Sequence, residues 1–420
     1  MSLSDNRQPP APIYGTSTTY AAAPAAAPVA VQQAAYAQAA PVYAVPPKRG
    51  NLTLTLAIIG FSVVGVIGLL VAAYLIFALG PLSVVIAGIL ALIPLAIVLF
   101  GVWWIDRWDR EPIAALAFGL LWGAAVAVFV ALVAGLGVEV IVALSGGIFA
   151  TNDFIGAVIQ APIVEEGGKG LGILLIFLVA RKHFDSPVDG VVYAAVVAGG
   201  FAFTENILYF GSQLLAGGGI VQVFIMRGLM SPFAHVMFTA CTGIALGFAA
   251  RRFGTFGAIG VFFLGLIPAI LLHALWNGAL FFVTDFFVYY GLVQFPLFVG
   301  AVVLVVFLRR KEAALTRDRL AEYASVGWFS PAEVPSLATG RGRRAARSWA
   351  NQRGIGSVMK KYTKDATRLA FTRQRLISGR AVQGAQEEET ALLAAIVAGR
   401  AQLQAPPAQH QPQYAPPVPR

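Results

Sequence analysis

FIGAVIQAPIVEEGGKGLGILLIFLVA, residues 154–180, is long and apolar enough to cross a bilayer, yet it carries Glu165, Glu166 and Lys169. A spanning helix needs about 20 residues, and each charged group near the bilayer centre costs roughly 2.5–3.5 kcal/mol even on lenient insertion scales. Several such groups on neighbouring spans are hard to explain except as parts of a working site. Counted as a span, this stretch gives the chain an all-α, polytopic membrane fold with eight transmembrane helices.

The surrounding sequence fits that count. Hydrophobic residues make up 58% of the chain and charged residues only 12%, a balance outside the range of soluble domains. The expected spans are 52–79, 82–104, 113–145, 154–180, 188–212, 228–250, 256–280 and 286–308. The third is long enough to be tilted or broken, and 219–226 reads equally as a short re-entrant or interfacial piece. Between spans, Lys and Arg cluster at Lys48-Arg49, Arg107 with Arg110, Arg181-Lys182, Arg251-Arg252 and Arg309-Arg310-Lys311, while the alternate loops near 80–81, 146–153, 213–219 and 281–285 carry none. Short basic loops stay cytoplasmic, so eight spans put every cluster, and both termini, on the cytoplasmic side. An error of one span would scatter the clusters over both faces.

Outside the membrane region the composition changes. Residues 1–50 are Ala, Pro, Gln and Tyr with almost no charge, too poor in apolar periodicity to order themselves. Residues 51–308 form the transmembrane domain, 309–402 a basic helical region, and 403–420 a second disordered tail. The net charge of +10 belongs to the C-terminal part, since residues 309–420 hold 19 Lys/Arg against 8 Asp/Glu. There Val358, Tyr362, Ala366, Leu369 and Leu376 recur at helical spacing among Lys360, Lys361, Lys364, Arg368, Arg373 and Arg375, near a second basic run at Arg341, Arg343, Arg344 and Arg347. This is either a basic amphipathic helix for anionic lipid or one arm of a hairpin with Glu387–Arg400 as the other. No nucleic-acid motif accompanies the charge, and no nucleic-acid partner is expected. Cys241 is the single cysteine; it allows no internal disulfide and reads as small core filler. The first apolar run lies behind a long polar leader, so it is expected as a retained span.

Topology brings the buried polar groups together. Glu165, Glu205, His235 and His273 fall on four consecutive antiparallel spans, each several residues in from the outer end, ~10–16 Å deep at about 1.5 Å per residue. They form one layer in the outer half of the bilayer. Glu165 and Lys169, like His273 and Asn277, are four residues apart and share a face, while Glu166 points about 100° away from Glu165 and meets other neighbours. Gly167, Gly168, Gly170 and Gly172 on the same helix allow a neighbour to approach closely. Arg227 reads as an outer-surface snorkeller, Glu139 as interfacial, His183 and His410 as solvated. Asp106, Asp109 and Glu111 read as partners of Arg107 and Arg110.

Glu165-Glu166-x-x-Lys169, Phe201-x-x-x-Glu205-Asn206, a histidine on the next span (His235) and His273-x-x-x-Asn277 together resemble the motif set of the PrsW-type intramembrane proteases, distant relatives of the CAAX prenyl proteases. Asp106-Arg-Trp-Asp-Arg-Glu111-Pro112 resembles that family's cytoplasmic loop. The CAAX branch is similar in its Glu-Glu pair and its His-x-x-x-Asn, but its basic residue falls one place after Lys169 and it has a histidine where this chain has Glu205. The resemblance covers about residues 50–308. It implies a bacterial cytoplasmic-membrane enzyme making a first cut in a membrane-anchored protein, an anti-sigma factor in known members, with Glu165, Glu166, Lys169, Glu205, Asn206, His235, His273 and Asn277 as its site.

Two mechanisms fit these residues. In one, His235, His273 and one or more of Glu165, Glu166 and Glu205, with Glu205 taken first, hold zinc with an open position, and a remaining glutamate is the base for the bound water. In the other, Glu165 activates water directly while His273 and Asn277 stabilise the oxyanion. A proton-coupled transporter is the alternative of a different class, because carboxylates and histidines inside spans also form proton relays. Against it, no internal repeat of the motifs is found. A scaffold reading leaves the intramembrane charges unexplained.

Overall fold

The computed structural model describes residues 52–147, 152–181, 184, 186–378 and 384–405. The expected disordered tail 1–50, residues 406–420, His183 and His410 lie outside them. The chain divides into a membrane unit ending at Glu312 and a second unit from Ala313 on.

Every described element of the membrane unit is helical: α1 (Leu52–Leu79), α2 (Pro81–Ile105), α3 (Ile113–Leu144), α4 (Ala161–Val179), α5 (Pro187–Leu215), α6 (Pro232–Arg252), α7 (Thr255–Phe282) and α8 (Phe286–Ser325). Proline stands in the first turn of α2, α4, α5 and α6, where its missing N–H costs nothing. Ser186 caps α5 by accepting from the Val188 and Asp189 amides, and Asp189 returns a carboxylate oxygen to the Ser186 amide, a reciprocal capping box. Among the described residues seven helices are long, apolar and uncharged enough to cross a membrane by length and composition, one fewer than expected. The exception is α4, which is apolar on average but carries three charged residues, Glu165, Glu166 and Lys169. Its charges nevertheless point inward: Glu166 and Lys169 are fully buried, while Ile163, Leu171, Leu175, Leu178 and Val179 face out.

The core is centred on α5. It is buried along most of its length and packs against α2, α3, α4 and α6. Backbones touch at two places. A Cβ on Gly123 of α3 would lie 1.9 Å from the Val197 carbonyl oxygen, and one on Gly190 of α5 would lie 1.9 Å from that of Gly243 on α6. Helices approach this closely in membranes because small residues allow it. Of the four α4 glycines, Gly172 is pressed against Trp122, Gly170 against Phe262 and Gly168 against Ala127, whereas Gly167 faces open space. The outer helices turn large apolar side chains outward, among them Leu69 and Phe77 of α1, Leu271 of α7 and Val303 of α8, a surface suited to lipid rather than water.

Among the described residues four π-helical stretches interrupt the regular pattern: Trp122–Ala127 inside α3, Ile155–Gln160 leading into α4, Phe224–Met230, which follows Ile220–Val223 and ends at the Ser231 bend before α6, and Tyr290–Gln294 inside α8. The long third span is thus modulated rather than broken. Wider turns leave carbonyls short of partners, which lipid cannot supply, and the first three stretches each receive a side chain from another helix. Thr204 donates to Ala124 O at 2.8 Å, Asn277 to Ala157 O at 2.7 Å and Tyr290 to Met230 O at 3.2 Å.

Glu111 departs from its expected arginine pairing. It is buried, and accepts a hydrogen bond from Tyr193. Burial, with Asp189 nearby, pushes its carboxyl well above the usual range.

In the second unit the end of α8 joins α9 (Glu333–Ala338), α10 (Gly340–Gln352), α11 (Gly356–Ile377) and α12 (Ala385–Gln404). The hairpin alternative describes it: Tyr362, Ala366 and Leu369 of α11 share a core with Leu392, Leu393 and Ile396 of α12. Much of the basic charge is used internally. Arg368 and Arg375 pair with Glu388 at 2.8 Å, Arg400 with Glu333 at 3.0 Å, and Arg343 donates to Leu337 O at 2.6 Å. Arg341, Arg344, Arg347, Arg353, Lys360 and Lys364 remain exposed.

Candidate active site

Helical spacing fixes which side chains meet. On α4, Glu166 and Lys169 are three apart and pair at 2.6 Å, while Glu165 and Lys169, four apart, stand at 3.7 Å. On α6, His235 and Thr239 are one turn apart and both face α4: Lys169 Nζ lies 3.3 Å from His235 Nδ1, and Thr239 donates to Glu166 Oε2 at 2.8 Å. From α7, His273 Nδ1 lies 3.0 Å from Glu166 Oε1, with its ring stacked on Phe238. Glu166 thus accepts from a lysine, a threonine and a histidine on three helices and is the hub of the network. Lys169, fully buried, is covered by the Phe201 ring 4.2 Å away, a favourable placement for a desolvated cation.

Glu165 has a different place. Its side chain keeps 12% exposure, and Oε2 has no hydrogen-bond partner although it lies 3.8 Å from His273 Nε2. Glu165 and Glu205 lie on an open cavity of about 330 Å³ walled by Val128, Ala131 and Leu132 of α3 and by Phe201, Leu208, Tyr209 and Ser212 of α5. The two acids of the pair are therefore not equivalent. Glu166 is buried and saturated; Glu165 is the one with an uncommitted oxygen beside a cavity.

Among the described residues one group has the residue types and spacing to hold a metal ion. Glu165, His235 and His273 offer ligand atoms that all lie within 4.8 Å of one another. Glu205, expected in that set, is instead engaged by Arg227 Nη2 at 2.7 Å and by His235 Nε2 at 3.0 Å. The donor types fit a metal: two imidazoles and a carboxylate suit zinc, Glu165 Oε2 makes no hydrogen bond, and each histidine has a nitrogen beside a further carboxylate, His273 beside buried Glu166 and His235 beside half-buried Glu205, the usual outer support of a metal-bound imidazole.

A family model described as "PrsW family intramembrane metalloprotease" matches residues 111–307. The chain is 33% identical over 203 residues to Protease PrsW of Clostridioides difficile, a match covering 45% of this chain and 76% of that protein. The chain belongs to the PrsW protease family. It is also 37% identical over 99 residues to Protease PrsW of Geobacillus kaustophilus and 34% identical over 122 residues to that of Bacillus subtilis, spanning 41% and 52% of those proteins. No solved structure matches it with significance.

For this PrsW homologue, six of the eight residues singled out in the sequence converge: Glu165, Glu166, Lys169, Glu205, His235 and His273. The other two do not join them. Asn277 is anchored on Ala157 O, and Asn206, buried on α5, has no hydrogen bond to the cluster among the described residues. Two participants were not foreseen. Thr239 carried a signal, its i+4 spacing from His235. Arg227, read as a snorkeller, carried none, because the segment holding it folds back onto α5.

Proposed function

We propose that the chain is an eight-span intramembrane endopeptidase, both termini cytoplasmic, that hydrolyses a peptide bond of a membrane-anchored protein in the outer half of the bilayer, as the first cut in regulated proteolysis of an anti-sigma-factor-like substrate. The observation that carries this reading is the uncommitted Glu165 oxygen beside an open cavity, backed by His235 and His273. The membrane placement of α4 is supported by its inward charges and outward leucines and isoleucines.

In this reading the substrate enters the cavity between α3 and α5 in extended form. Glu165 Oε2 takes a proton from a water as its oxygen bonds to the peptide carbonyl carbon, then returns the proton to the amide nitrogen as the C–N bond breaks. Products are a carboxylate and an amine. With Nδ1–H given to Glu166, His273 presents the lone pair of Nε2 toward Glu165. His235 and His273 would hold zinc beside Glu165, which stays free to act as the base; the ion when bound would supply a Lewis acid and lower the pKa of water. The metal version is favoured because the oxyanion donors of the metal-free version are taken: Asn277 is anchored on Ala157 O and His273 Nδ1 faces Glu166.

Cells expressing wild type or His273→Ala, each verified as inserted, provide the test. Fragments cut on the outer side are expected in wild type only, and in the purified reaction a chelator stops cleavage until zinc is restored. Cleavage that persists in chelator moves the mechanism to glutamate alone. Identical fragments in both strains would return the transporter reading to the front.

Anionic lipid is the proposed partner of the exposed Arg341, Arg344, Arg347, Lys360 and Lys364. Each basic residue near an anionic surface is worth about 1 kcal/mol, and the exposed Trp349, stacked under Arg353 at 4.4 Å, supplies an interfacial ring. In nanodiscs, residues 340–364 should gain hydrogen-exchange protection when anionic lipid is added. Arg341→Glu with Arg344→Glu and Arg347→Glu should lose that gain; equal protection in neutral lipid would rule the contact out.

A further inference from the structure

We infer that Arg227 is a positioning residue of the hydrolytic site, acting through Glu205 to fix the orientation and tautomer of His235. The inference rests on the proteolytic reading of the cluster, but its first readout does not require activity.

Arg227 sits in the π-helical stretch Phe224–Met230, a segment that makes no span of its own. Its guanidinium leaves that segment to meet α5. Nη2 lies 2.7 Å from Glu205 Oε2, and the guanidinium carbon lies 3.5 Å from the centre of the Tyr209 ring. Glu205 and Tyr209 are four residues apart on one face of α5, so they form a bracket that takes the edge and the plane of one guanidinium at once. Planar, delocalised charge suits this double contact, and an ammonium does not. Arg227 Nε makes no hydrogen bond. The described contacts that hold the guanidinium head are thus those of the site, and three-quarters of the side chain is buried instead of reaching for the surface.

The consequence passes along a chain of contacts. Glu205, paired with Arg227 at 2.7 Å, stands 3.0 Å from His235 Nε2. A carboxylate there requires the proton on Nε2, which leaves the Nδ1 lone pair toward Lys169 and the cluster. Without Arg227, Glu205 keeps His235 alone as a partner at the edge of a cavity and can rotate away, and His235 then loses the contact that selects its tautomer. Outer partners of this kind typically change affinity or activity by about 10–100-fold.

The test uses full-length protein in nanodiscs with ¹⁵N-labelled histidine, the His235 signals assigned by their loss in His235→Gln. Kept free of metal with chelator, wild type should show protonated Nε2 and unprotonated Nδ1. Arg227→Ala should show a mixture, and millimolar guanidinium, but not urea, should restore the wild-type pattern. With a membrane-tethered reporter that wild type cuts, Arg227→Ala should lower kcat about 10–100-fold with little change in KM, and guanidinium should recover most of it. Should Arg227→Ala not fold, Arg227→Lys serves, since it keeps the charge and loses the fork and the stack. Unchanged His235 signals in a folded variant overturn the inference, whatever the activity does. A reporter that wild type leaves uncut counts against the proteolytic reading, and the histidine spectra then still decide the tautomer.

Discussion

Glu165→Gln is expected to lower turnover by about 10²–10⁴-fold, the range supplied by a positioned general base, while the protein keeps its thermal midpoint. The two halves of this result have one cause. Oε2 of Glu165 makes no hydrogen bond, so replacing the acid by its amide breaks no hydrogen bond of that oxygen and weakens only the long contacts to Lys169 and His273 at 3.7 and 3.8 Å, but the amide cannot take a proton from water. Glu166→Gln should behave differently. Glu166 accepts from Thr239 and lies within hydrogen-bonding distance of Lys169 and His273, so its amide would leave Lys169 undercompensated and turn a donor toward groups that already donate. Loss of both activity and stability is expected there. Measuring turnover on a tethered reporter beside thermal unfolding for the pair of variants separates base from hub. A Glu165→Gln enzyme with near-normal turnover would remove Glu165 from the chemistry.

Lys169→Met is expected to cost about 3–5 kcal/mol of stability, the penalty for stranding one partner of a buried ion pair. Lys169 is fully buried, pairs with Glu166 at 2.6 Å and lies 3.3 Å from His235 Nδ1. Removing its charge leaves the Glu166 carboxylate in a site with no water to replace it. Methionine matches the length of the lysine stem and should pack under Phe201, so the loss comes from charge and not from a cavity. Adding Glu166→Gln should then recover much of the stability without restoring activity. Denaturation of the single and double variants in detergent checks this. A single variant as stable as wild type would mean that Glu166 is neutral in the resting protein.

The membrane fold is legible in the sequence because hydropathy is a local property. Runs such as Leu52–Leu79 and Pro81–Ile105 declare themselves without knowledge of any neighbour, and so does the Ser186-x-x-Asp189 cap of α5. The charge-bearing stretch 154–180 is legible only in part. Its length and apolar content suit a span and its three charges do not, and what reconciles them is that Glu166 and Lys169 face inward while Leu171 and Leu175 face out.

Six of the side chains that converge in the candidate site are legible in the sequence, since acids, a lysine and histidines inside apolar spans are too costly in lipid to be incidental. Their roles do not. Whether Glu165 or Glu205 completes the Glu/His/His group depends on which carboxylate Arg227 holds, and that depends on a short segment folding back onto α5. Asn277 looks catalytic by its spacing from His273, yet the π-helical stretch before α4 leaves the Ala157 carbonyl in need of a donor and takes it. Sequence determined which side chains lipid would not tolerate unpaired. Tertiary structure decided the pairing, because charged groups in a low-dielectric interior choose partners by a few ångströms of helix position that no local pattern encodes.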